Sequence, residues 1–419
     1  MKGDDTATGL DEDHPLKTLT AAMAKAGNGD TVALAGGTYS VASGETFPIA
    51  FAGLEDVKIV VTNAPSATLD ATGSGRRVLT VENAVRATFR NLVFTGGVAS
   101  NDSIVATGEF PVNGGGGVLV KGGAAVAFEG CRITDNLATV VSNAYKGVVA
   151  GGGVLAQGAD VTFTGCVVDG NRVIGTTTDA STSGKSGSCG GGIAVLSSNF
   201  TFNDGRISGN SVSGKGNSMY AQKGAGVYVG HGTFQTRNSL YAKNTGTTLF
   251  YSCYDPNGSE KFTGTAGKIN AYFCTFAENG SRVIATQEGY YAQKFYSCAL
   301  SGNGRSETYP DGAPETDSRP DWNNCLLPVG STGLLRENGC ILTNKAGIVV
   351  SKTTGACKVR GSSPAVDASL NTYDWLTAEG ALDNNGNPRI VGIKDKKTPV
   401  ADIGCVEVQC IPGLLLMVW

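Results

Sequence analysis

FEGCRITDN, residues 128–136, has a pattern that recurs along the middle of the chain: Phe-x-x-Cys-x-apolar-x-x-Asn. The pattern returns as FTGCVVDGN at residues 163–171, as FNDGRISGN at 202–210 and as FYSCALSGN at 295–303. A repeat at this spacing is typical of a solenoid, in which each copy forms one coil and stacks on the next. The repeat therefore predicts a solenoid.

The apolar positions within one copy indicate three short strands. Val126 and Phe128 are two residues apart and face the same side of a strand, and Cys131 and Ile133 form a second such pair. Phe128 and Cys131 are an odd number of residues apart, so both can point inward only if the chain turns between them. One copy, residues 114–136, spans 23 residues, which is enough for three strands and three corners. We therefore predict an all-β fold, a single-stranded right-handed parallel β-helix.

Stacking of the copies places equivalent residues above one another, so that each type of side chain forms a ladder along the axis. Asparagine suits the corners, because its amide can satisfy backbone groups and its backbone tolerates the left-handed conformation. Gly-rich stretches at 114–117, 151–153 and 190–192 open the strong copies and supply tight corners. The predicted ladder residues are Phe128, Phe163, Phe202, Cys131, Cys166, Asn136, Asn171 and Asn210.

The spacing of the corner asparagines indicates where the coils have extra chain. Successive asparagines are 35, 39, 34, 35 and 24 residues apart, whereas one coil needs 23. The excess follows the asparagine each time. Insertions at one phase of a solenoid project from one face, which is often the binding face. The predicted insertions are residues 137–150, 172–189, 211–223, 245–268, 281–293 and 304–324.

The repeat units resemble those of right-handed parallel β-helix proteins of bacterial surfaces, in particular the polymorphic outer-membrane proteins, over about residues 85–330. The C-terminal region is similar to the closing module of secreted bacterial β-helix proteins that have a choice-of-anchor segment. The matching stretches are GSSPAVD at 361–367, DNNGNPR at 383–389 and DIGCVE at 402–407. The resemblance implies a secreted protein or one displayed on a bacterial cell surface, and it implies no particular chemistry.

We expect one continuous domain with three regions. Leu16, Leu19 and Met23 recur at helical spacing and predict a short capping helix over residues 14–27, before the first strand. A cap is needed because an open solenoid end exposes core and strand edges. The predicted regions are the cap and first strand at 1–40, the β-helix with its insertions at 41–330, and degenerate coils with a closing module at 331–419.

Composition argues against several functions. The 419 residues have a net charge of −3 and no basic cluster, so a nucleic-acid partner is not expected. No segment reaches the ~18–20 apolar residues that a membrane-spanning helix needs. With 2 histidines and no Cys-x-x-Cys unit, a zinc site is not expected, and no other cofactor is indicated. Calcium is left open without a clear site, since turn chemistry explains Asp135 and Asp169. We expect a monomer.

The chain has 11 cysteines, which fall into two groups. Cys131, Cys166, Cys274 and Cys298 occupy one inward slot, in which Gly205 stands in another copy. A slot that accepts glycine does not require a disulfide, so these thiols are predicted to be small apolar filler. A disulfide is left open for the second group, which comprises Cys189, Cys253, Cys325, Cys340, Cys357, Cys405 and Cys410.

The insertions contain the side chains best suited to binding. Flat aromatic rings with a polar edge can bury the apolar face of a sugar and still form a hydrogen bond. The alternative is that the same rings pack the loops onto the solenoid wall. The candidate binding residues are Tyr220, Tyr251, Tyr254, Tyr290, Tyr291, Trp322, Lys215, Lys223 and Arg282.

Two enzymatic alternatives can be tested on the same residues. A lyase acting on an acidic polysaccharide needs a base and a cation that neutralises the substrate carboxylate; Lys215, Tyr220, Lys223 and Arg282 lie in suitable loops. A polygalacturonase-like hydrolase has a Gly-His-Gly unit, as around His231, but also needs paired carboxylates. This chain has only an isolated Asp204 upstream, so that hypothesis is weak.

Three hypotheses on function follow. The leading one is a secreted or surface-displayed β-helix protein that binds a polysaccharide or surface glycan through its insertion face, as an adhesin does. The second is a polysaccharide lyase or glycoside hydrolase using that face, and the third is a passive structural spacer. An enzyme requires a converging acid, base and cation, a binder requires exposed aromatics without them, and a spacer requires flat loops. The fold itself does not decide among these hypotheses.

The inward assignment of the phenylalanine ladder can be tested by Phe163→Asp. The substitution would place an unpaired charge inside the stack, and burial of such a charge is strongly unfavourable. We expect the variant to be insoluble or to be degraded rapidly by protease, whereas Phe163→Leu should remain folded. Soluble, protease-resistant Phe163→Asp protein would contradict the assignment.

Overall fold

The computed structural model describes residues 3–83, 85–100, 105–107, 110–141, 148–176, 187–215, 222–253, 267–280, 282–286, 293–303, 320–329, 339–352, 354–370, 373–378, 381–389 and 401–408. Within these ranges the chain forms a right-handed parallel β-helix, which confirms the predicted fold class. A coil has three strands, and each strand pairs in parallel with its counterpart one coil along.

The strands, numbered in chain order, form three walls. Two long strands, β22 (Ile193–Asn203) and β25 (Val227–Arg237), run through both wall 1 and wall 2. Wall 1 also contains β3 (Ile49–Ala52), β6 (Leu79–Glu82), β12 (Val118–Lys121), β17 (Val154–Gln157), β27 (Thr248–Cys253) and β30 (Arg282–Thr286). Wall 2 also contains β1 (Thr31–Leu34), β4 (Val57–Val61), β7 (Arg86–Arg90), β13 (Ala125–Glu129), β18 (Asp160–Thr164), β28 (Lys268–Tyr272), β31 (Gln293–Tyr296) and β33 (Asp321–Asn323).

Wall 3 closes the triangle. It contains β2 (Thr38–Ser40), β5 (Ala67–Asp70), β8 (Leu92–Thr95), β14 (Arg132–Thr134), β19 (Val167–Asp169), β23 (Arg206–Ser208), β26 (Leu240–Ala242), β29 (Thr275–Ala277), β32 (Ala299–Ser301), β34 (Leu326–Leu327) and β35 (Ile341–Leu342). The strands alternate between buried and more exposed residues, as in β18 and β13. That alternation follows from the two-residue period of a strand and places every second side chain inside the coil.

Aromatic rings fill the interior along the axis. Phe128 is in register with Phe163, and Phe163 with Phe202. The ring centroids of Phe128 and Phe163 are 4.6 Å apart. At the far end Phe295 stacks on Trp322, with centroids 4.3 Å apart. All five side chains are buried, and each contributes about 1.5–3 kcal/mol through removal of apolar surface from water.

The corner asparagines form a hydrogen-bonded ladder. The Nδ2 of Asn136 donates to the Oδ1 of Asn171 at 3.0 Å, and the same Oδ1 accepts the backbone N–H of Asn136 at 3.1 Å. The Nδ2 of Asn171 also donates to the carbonyl of Ile133 at 2.9 Å. The Asn171 amide therefore satisfies backbone groups of the preceding coil, and the Asn136 amide bonds Phe94 of the preceding coil and Thr134 of its own. The side-chain contact continues through Asn210, Asn244, Asn279 and Asn303.

A second inward slot contains thiols that donate weak hydrogen bonds to carbonyls of neighbouring coils. Cys131 donates to Phe89 at 3.3 Å, and Cys325 donates to the carbonyl of Phe295 at 3.4 Å. Cys340 does the same to Trp322 at 3.2 Å. Cys325 and Cys340 therefore belong to this slot, so the prediction that placed them outside it is wrong. The cysteines described as free thiols are Cys131, Cys166, Cys189, Cys274, Cys298, Cys325, Cys340, Cys357 and Cys405, whereas Cys253 and Cys410 lie where no side chain is described.

In the middle coils, the chain that follows the corner asparagine builds two further layers outside wall 1. The outer layer contains β10 (Val105–Thr107), β11 (Phe110–Gly114), β16 (Val148–Ala150) and β21 (Gly187–Cys189). The flanking layer contains β9 (Val98–Ala99), β15 (Leu137–Val141), β20 (Arg172–Thr176) and β24 (Ser211–Lys215). Neighbouring strands in each layer that come from successive coils pair in parallel. The insertions after Asn136 and Asn171 thus begin and end as added strands.

Glycines at the start of each copy, such as Gly115 and Gly116, let the chain pass from the outer layer into wall 1. Gly115 has φ +64°, a conformation that favours glycine. A Cβ on Gly116 would lie 2.4 Å from the carbonyl oxygen of Leu137 and 2.5 Å from that of Gly152. No side chain fits at Gly116, because Leu137 of the flanking layer and Gly152 of the next coil both approach its backbone closely.

Later coils have their extra chain at a different corner. Strand β27 follows Asn244 closely and pairs with β25, so residues 254–266 fall between wall 1 and wall 2. Residues 287–292 likewise separate β30 from β31. The insertions predicted at 245–268 and 281–293 are therefore displaced by one corner. The expectation that all insertions share one phase is wrong for these coils, because their first strands resume at once.

A short helix covers the N-terminal end of the core. Helix α1 (Leu19–Lys25) is shorter than the predicted 14–27, because Thr18 caps it and its chain is extended before that point. The carboxylate of Glu45 accepts two backbone N–H groups of the first turn at 2.7 and 3.1 Å. A negative charge at a helix N-terminus is stabilising. Met23 packs against the core from the same helix. A short 3₁₀ helix lies at Val41–Ser43.

The described part of residues 346–408, here called the closing segment, folds back over the outer face of wall 3. It contains β36 (Ile348–Val350), β37 (Cys357–Val359) and helix α2 (Asp374–Thr377). The Nδ2 of Asn384 donates to the carbonyls of Gly205 at 2.9 Å and Asn238 at 3.0 Å. The segment therefore contacts coils more than a hundred residues away in sequence.

The three stretches that resemble a closing module meet in a buried polar network. The carboxylate of Asp402 accepts the backbone N–H of Asp367 at 2.7 Å, and that of Asp383 accepts the N–H of Glu407 at 2.9 Å. Arg389 is fully buried and lies 4.0 Å from the Glu407 carboxylate. Burial raises the pKa of Asp402 to about 6. The network explains why these polar residues can be buried together.

Removal of one rung should test the asparagine ladder. Asn171→Ala would remove the acceptor of the buried Asn136 N–H and a donor to the carbonyl of Ile133, and each buried group left unsatisfied costs about 1–3 kcal/mol. We expect the free energy of unfolding to fall by about 2–6 kcal/mol in a urea titration. The exposed Asn199, which donates to Asp160, provides the control, since Asn199→Ala should change stability by less than about 0.5 kcal/mol. Equal losses in the two variants would contradict the role of the ladder.

Candidate functional site

The outer layer covers a row of side chains that point outward from wall 1. Five of these positions are buried, and the sixth, Ala285, is partly buried. Val112, Val148, Ala150 and Cys189 pack on the row from the outer layer. In register, the row is Leu119, Leu155, Ala194, Tyr228, Tyr251 and Ala285. Its composition changes from aliphatic to aromatic where the strands of the outer layer end.

Lys223 lies at that end. It pairs with Cys189 as a single bridge, so it extends the outer layer by one residue. Its Nζ lies 5.2 Å from the centroid of the Tyr251 ring, within the range of a cation–π interaction. Tyr251 in turn stacks on Tyr228, with centroids 5.8 Å apart and planes inclined by 19°. The tyrosine pair thus forms an aromatic base beneath a half-buried ammonium group.

Arg282 supplies a second positive charge to the same place. It opens β30 and is in register with Thr248 on β27, the strand that contains Tyr251. Burial, together with repulsion from the Arg282 guanidinium, lowers the pKa of Lys223. Among the residues that the structure describes, no carboxylate forms an ion pair with Lys223 or Arg282. Lys223 over Tyr251 and the nearby Arg282 thus place two positive charges in the same region of the surface.

Two of the predicted aromatic binding residues lie elsewhere than expected. Trp322 is 0 % exposed and forms the end of the inner stack, so its assignment to a binding loop is wrong. It belongs to β33, which pairs with β31 in wall 2. Tyr251 is 5 % exposed, so its ring supports Lys223 and is not an open platform. The assignment of Tyr251 failed because β27 resumes directly after Asn244, and that of Trp322 failed because Trp322 is the inward aromatic residue of a further repeat copy, Trp-x-x-Cys-x-apolar at 322–327.

The remaining predicted binding residues divide by position. Lys223 and Arg282 are brought together, as described above. The backbone of Lys215 ends β24 in the flanking layer. The side chain of Lys215 lies outside the described parts of the chain, and so do Tyr220, Tyr254, Tyr290 and Tyr291.

The carboxylates considered for metal or acid catalysis have structural partners. Asp169 pairs with Arg132 at 2.6 Å, and Asp204 accepts Asn238 at 2.9 Å. Asp135 and His231 have φ of +56° and +54°, as corner residues do. Within the described ranges, no group of three or more His, Cys, Asp and Glu side chains could hold a metal ion. These residues therefore supply no carboxylate pair for hydrolysis.

Sequence reasoning missed four partly exposed aromatic residues on another face, Tyr272, Tyr296, Tyr373 and Trp375. The sequence contains a pattern that could have identified two of them. Tyr272 and Tyr296 each stand two residues before a thiol of the inward slot, Cys274 and Cys298. Because that slot repeats once per coil, the shared offset predicts that the two rings are neighbours. No comparable signal links them to residues 373 and 375, which come from the closing segment.

The family model described as "Protein of unknown function (DUF1565)" matches residues 1–245. That match covers more than half of the 419 residues. The chain belongs to this family. The DUF1565 match extends from the N-terminal cap to the coil that ends at Asn244. It therefore includes Lys223, whereas Tyr251 and Arg282 lie just beyond it.

Comparison with solved structures gives a similar fold. The crystal structure of pectate lyase Pel9A is 13 % identical, with a TM-score of 0.52, and the match covers 97 % of this chain and 94 % of that one. At this identity the similarity concerns the β-helix alone. Comparison with curated proteins found no match. Across the described part of the chain, no helix is long and apolar enough to cross a membrane.

Proposed function

We propose that this protein is a secreted or bacterial cell-surface β-helix protein that binds an acidic polysaccharide through its insertion face. The single observation that favours this function most is the position of Lys223 above Tyr251, beside Arg282. Ammonium and guanidinium groups bind carboxylates by charge-assisted hydrogen bonds. The ligand would thus be a polymer of uronate sugars.

The aromatic base strengthens the attraction for a carboxylate. Tyr251, which stacks on Tyr228, lies against the half-buried Lys223, and a partly desolvated charge attracts an anion more strongly than an exposed one does. Stacked coils repeat about every 4.8 Å along a parallel sheet, so the insertion face presents groups at regular intervals to an extended chain. The pectate lyase neighbour has a β-helix of similar extent, which is compatible with a polysaccharide partner.

A lyase is the second candidate, and the lowered pKa of Lys223 favours it. A lysine with a lowered pKa gives up its proton more readily than an ordinary lysine and is therefore better suited to act as a base. In β-elimination from a uronate, the Lys223 amine would accept the C5 proton while the C4–O bond breaks, with its electron pair leaving on the glycosidic oxygen. A C4–C5 double bond would form, and Arg282 would neutralise the carboxylate.

Binding can be tested with two polymers that differ only in charge. We expect polygalacturonate to be retained on a column of the immobilised protein and fully methyl-esterified polygalacturonate to pass through. Retention should weaken with added salt, since exposed charges are screened. Equal retention of both polymers would contradict the proposal, and so would retention of neither.

Substitution of Lys223 should localise the interaction. We expect Lys223→Met to weaken polygalacturonate binding about tenfold, because one charged hydrogen bond contributes about 1.5 kcal/mol or more. Lys268→Met is the matched control, since Lys268 is exposed on wall 2 and should affect binding little. Similar losses in the two variants would indicate general charge attraction instead of a site at Lys223.

The pH dependence of polygalacturonate binding should show whether Lys223 is the group that binds the polymer. Lys223 is charged below its pKa, so binding should weaken as pH rises through that lowered value, earlier than for an ordinary lysine. Lys223→Arg should keep binding and lose this dependence, because arginine stays charged. If the protein is a lyase, polygalacturonate should gain unsaturated ends that absorb ultraviolet light, and Lys223→Arg should stop cleavage without stopping binding. Binding by the native protein that shows no such pH dependence would contradict the assignment to Lys223.

A further inference from the structure

Wall 2 has an outward row that becomes aromatic in its last coils. Arg237 is in register with Tyr272, and Tyr272 with Tyr296. The two tyrosine rings stack with centroids 5.1 Å apart and planes inclined by 5°. Earlier coils have charged or small polar residues at the same position, namely Arg90, Glu129, Thr164 and Asn203. The change to tyrosine is therefore local.

The closing segment adds two more rings beside this row. Tyr373 meets Tyr272 edge to face, with centroids 5.4 Å apart, and stacks on Trp375 at 6.1 Å. The guanidinium of Arg237 lies 5.0 Å from the centroid of Trp375. Tyr272, Tyr296, Tyr373 and Trp375, here called the aromatic patch, thus form one unbroken set of ring contacts. Each of the four is partly exposed.

Packing of the closing segment accounts for part of each ring's surface. Leu376, Phe273 and Ala401 are buried together and attach the closing segment to the corner between wall 2 and wall 3. Tyr272, Tyr373 and Trp375 pack against that cluster, and Tyr296 joins them through Tyr272, yet all four rings keep part of their surface open to water. Contiguous apolar surface that stays open to water and is bordered by polar residues is a feature of interaction sites.

Three phenol groups give the patch its polar character. The ring contacts join the phenols of Tyr296, Tyr272 and Tyr373 in one series, and burial raises the pKa of Tyr373 to about 12. Lys294 precedes Tyr296 by two residues on β31, and Asp321 is in register with Lys294. With Arg237 over Trp375 and the exposed Asp374 on α2, two basic and two acidic side chains border the rings, which favours a ligand without net charge. Flat rings with hydroxyl edges are suited to the apolar faces and hydroxyls of sugars.

We propose that the aromatic patch is a binding site for neutral sugar units of a polysaccharide. The aromatic patch lies on wall 2 and on the closing segment, whereas the site at Lys223 lies outside wall 1. The inference does not depend on the proposed function, because it concerns different residues and a ligand without charge. A polysaccharide with both acidic and neutral units could contact the two sites together.

Calorimetry with neutral oligosaccharides tests the proposal. The native protein would be titrated with cellohexaose, laminarihexaose, mannohexaose and xylohexaose, and we expect saturable heat with at least one of them. Tyr272→Ala combined with Tyr296→Ala should weaken that binding about tenfold or more, since each ring contributes about 0.5–1.5 kcal/mol beyond its buried area. Tyr39→Ala is the control, because Tyr39 is also partly exposed but lies on β2, and it should bind as the native protein does.

A milder pair of variants keeps the test decisive if the double alanine variant does not fold. Tyr272→Phe with Tyr296→Phe retains both rings and should weaken binding about threefold to tenfold through loss of hydroxyl hydrogen bonds. The change in tryptophan fluorescence on addition of the sugar should also be smaller in Trp375→Phe than in the native protein, since Trp322 is buried in the core.

Two results would overturn the proposal: no heat with any of the four hexasaccharides, or native affinity in the Tyr272 and Tyr296 double variants. Lys223→Met should bind the neutral hexasaccharide normally. If the native protein binds a hexasaccharide but not the acidic polymer, the proposed function is refuted and the aromatic patch is supported. If it binds the acidic polymer but no hexasaccharide, the aromatic patch is refuted and the proposed function is supported.

Discussion

The asparagine ladder is the interaction on which the other features of the middle coils depend. Each rung bonds the next asparagine and backbone groups of the preceding coil, so it fixes the corner at which wall 3 ends. The strands of the flanking layer start directly after that corner, and the glycine pairs return the chain beside it. A corner held by buried hydrogen bonds can accept chain of varying length on its outer side. The coil geometry is thus preserved while the outer strands and their connections vary.

The fold could be predicted because its determinants repeat. Phe128, Phe163 and Asn136 occupy fixed offsets, and parity alone places them inside a three-stranded coil. The prediction failed where the pattern weakened. Residues 322–327 are a copy of the repeat in which tryptophan replaces phenylalanine, with Cys325 and Leu327 at the usual offsets, and Trp322 occupies the inward row because β33 pairs with β31. The prediction searched for phenylalanine and for a following asparagine, and so missed a copy that has neither.

The candidate sites were less predictable, since each joins residues that are distant in sequence. Lys223 and Arg282 were singled out as cations in loops, but only the pairing of Thr248 with Arg282 places the guanidinium near Lys223. The aromatic patch needs the closing segment to fold back over the solenoid, and a sequence pattern contains no record of that contact. Composition can indicate which side chains suit a sugar, whereas the topology decides which of them meet.

The closing segment also affects the order of assembly. Leu240, Ala277 and Leu326 point outward from wall 3, and it is this segment that covers them. Because synthesis proceeds from the N-terminus, these coils emerge before the residues that cover them. An apolar strip on stacked strands stays open until the closing segment arrives. Such exposed strands are prone to aggregation, so docking of the closing segment is expected to remove that risk.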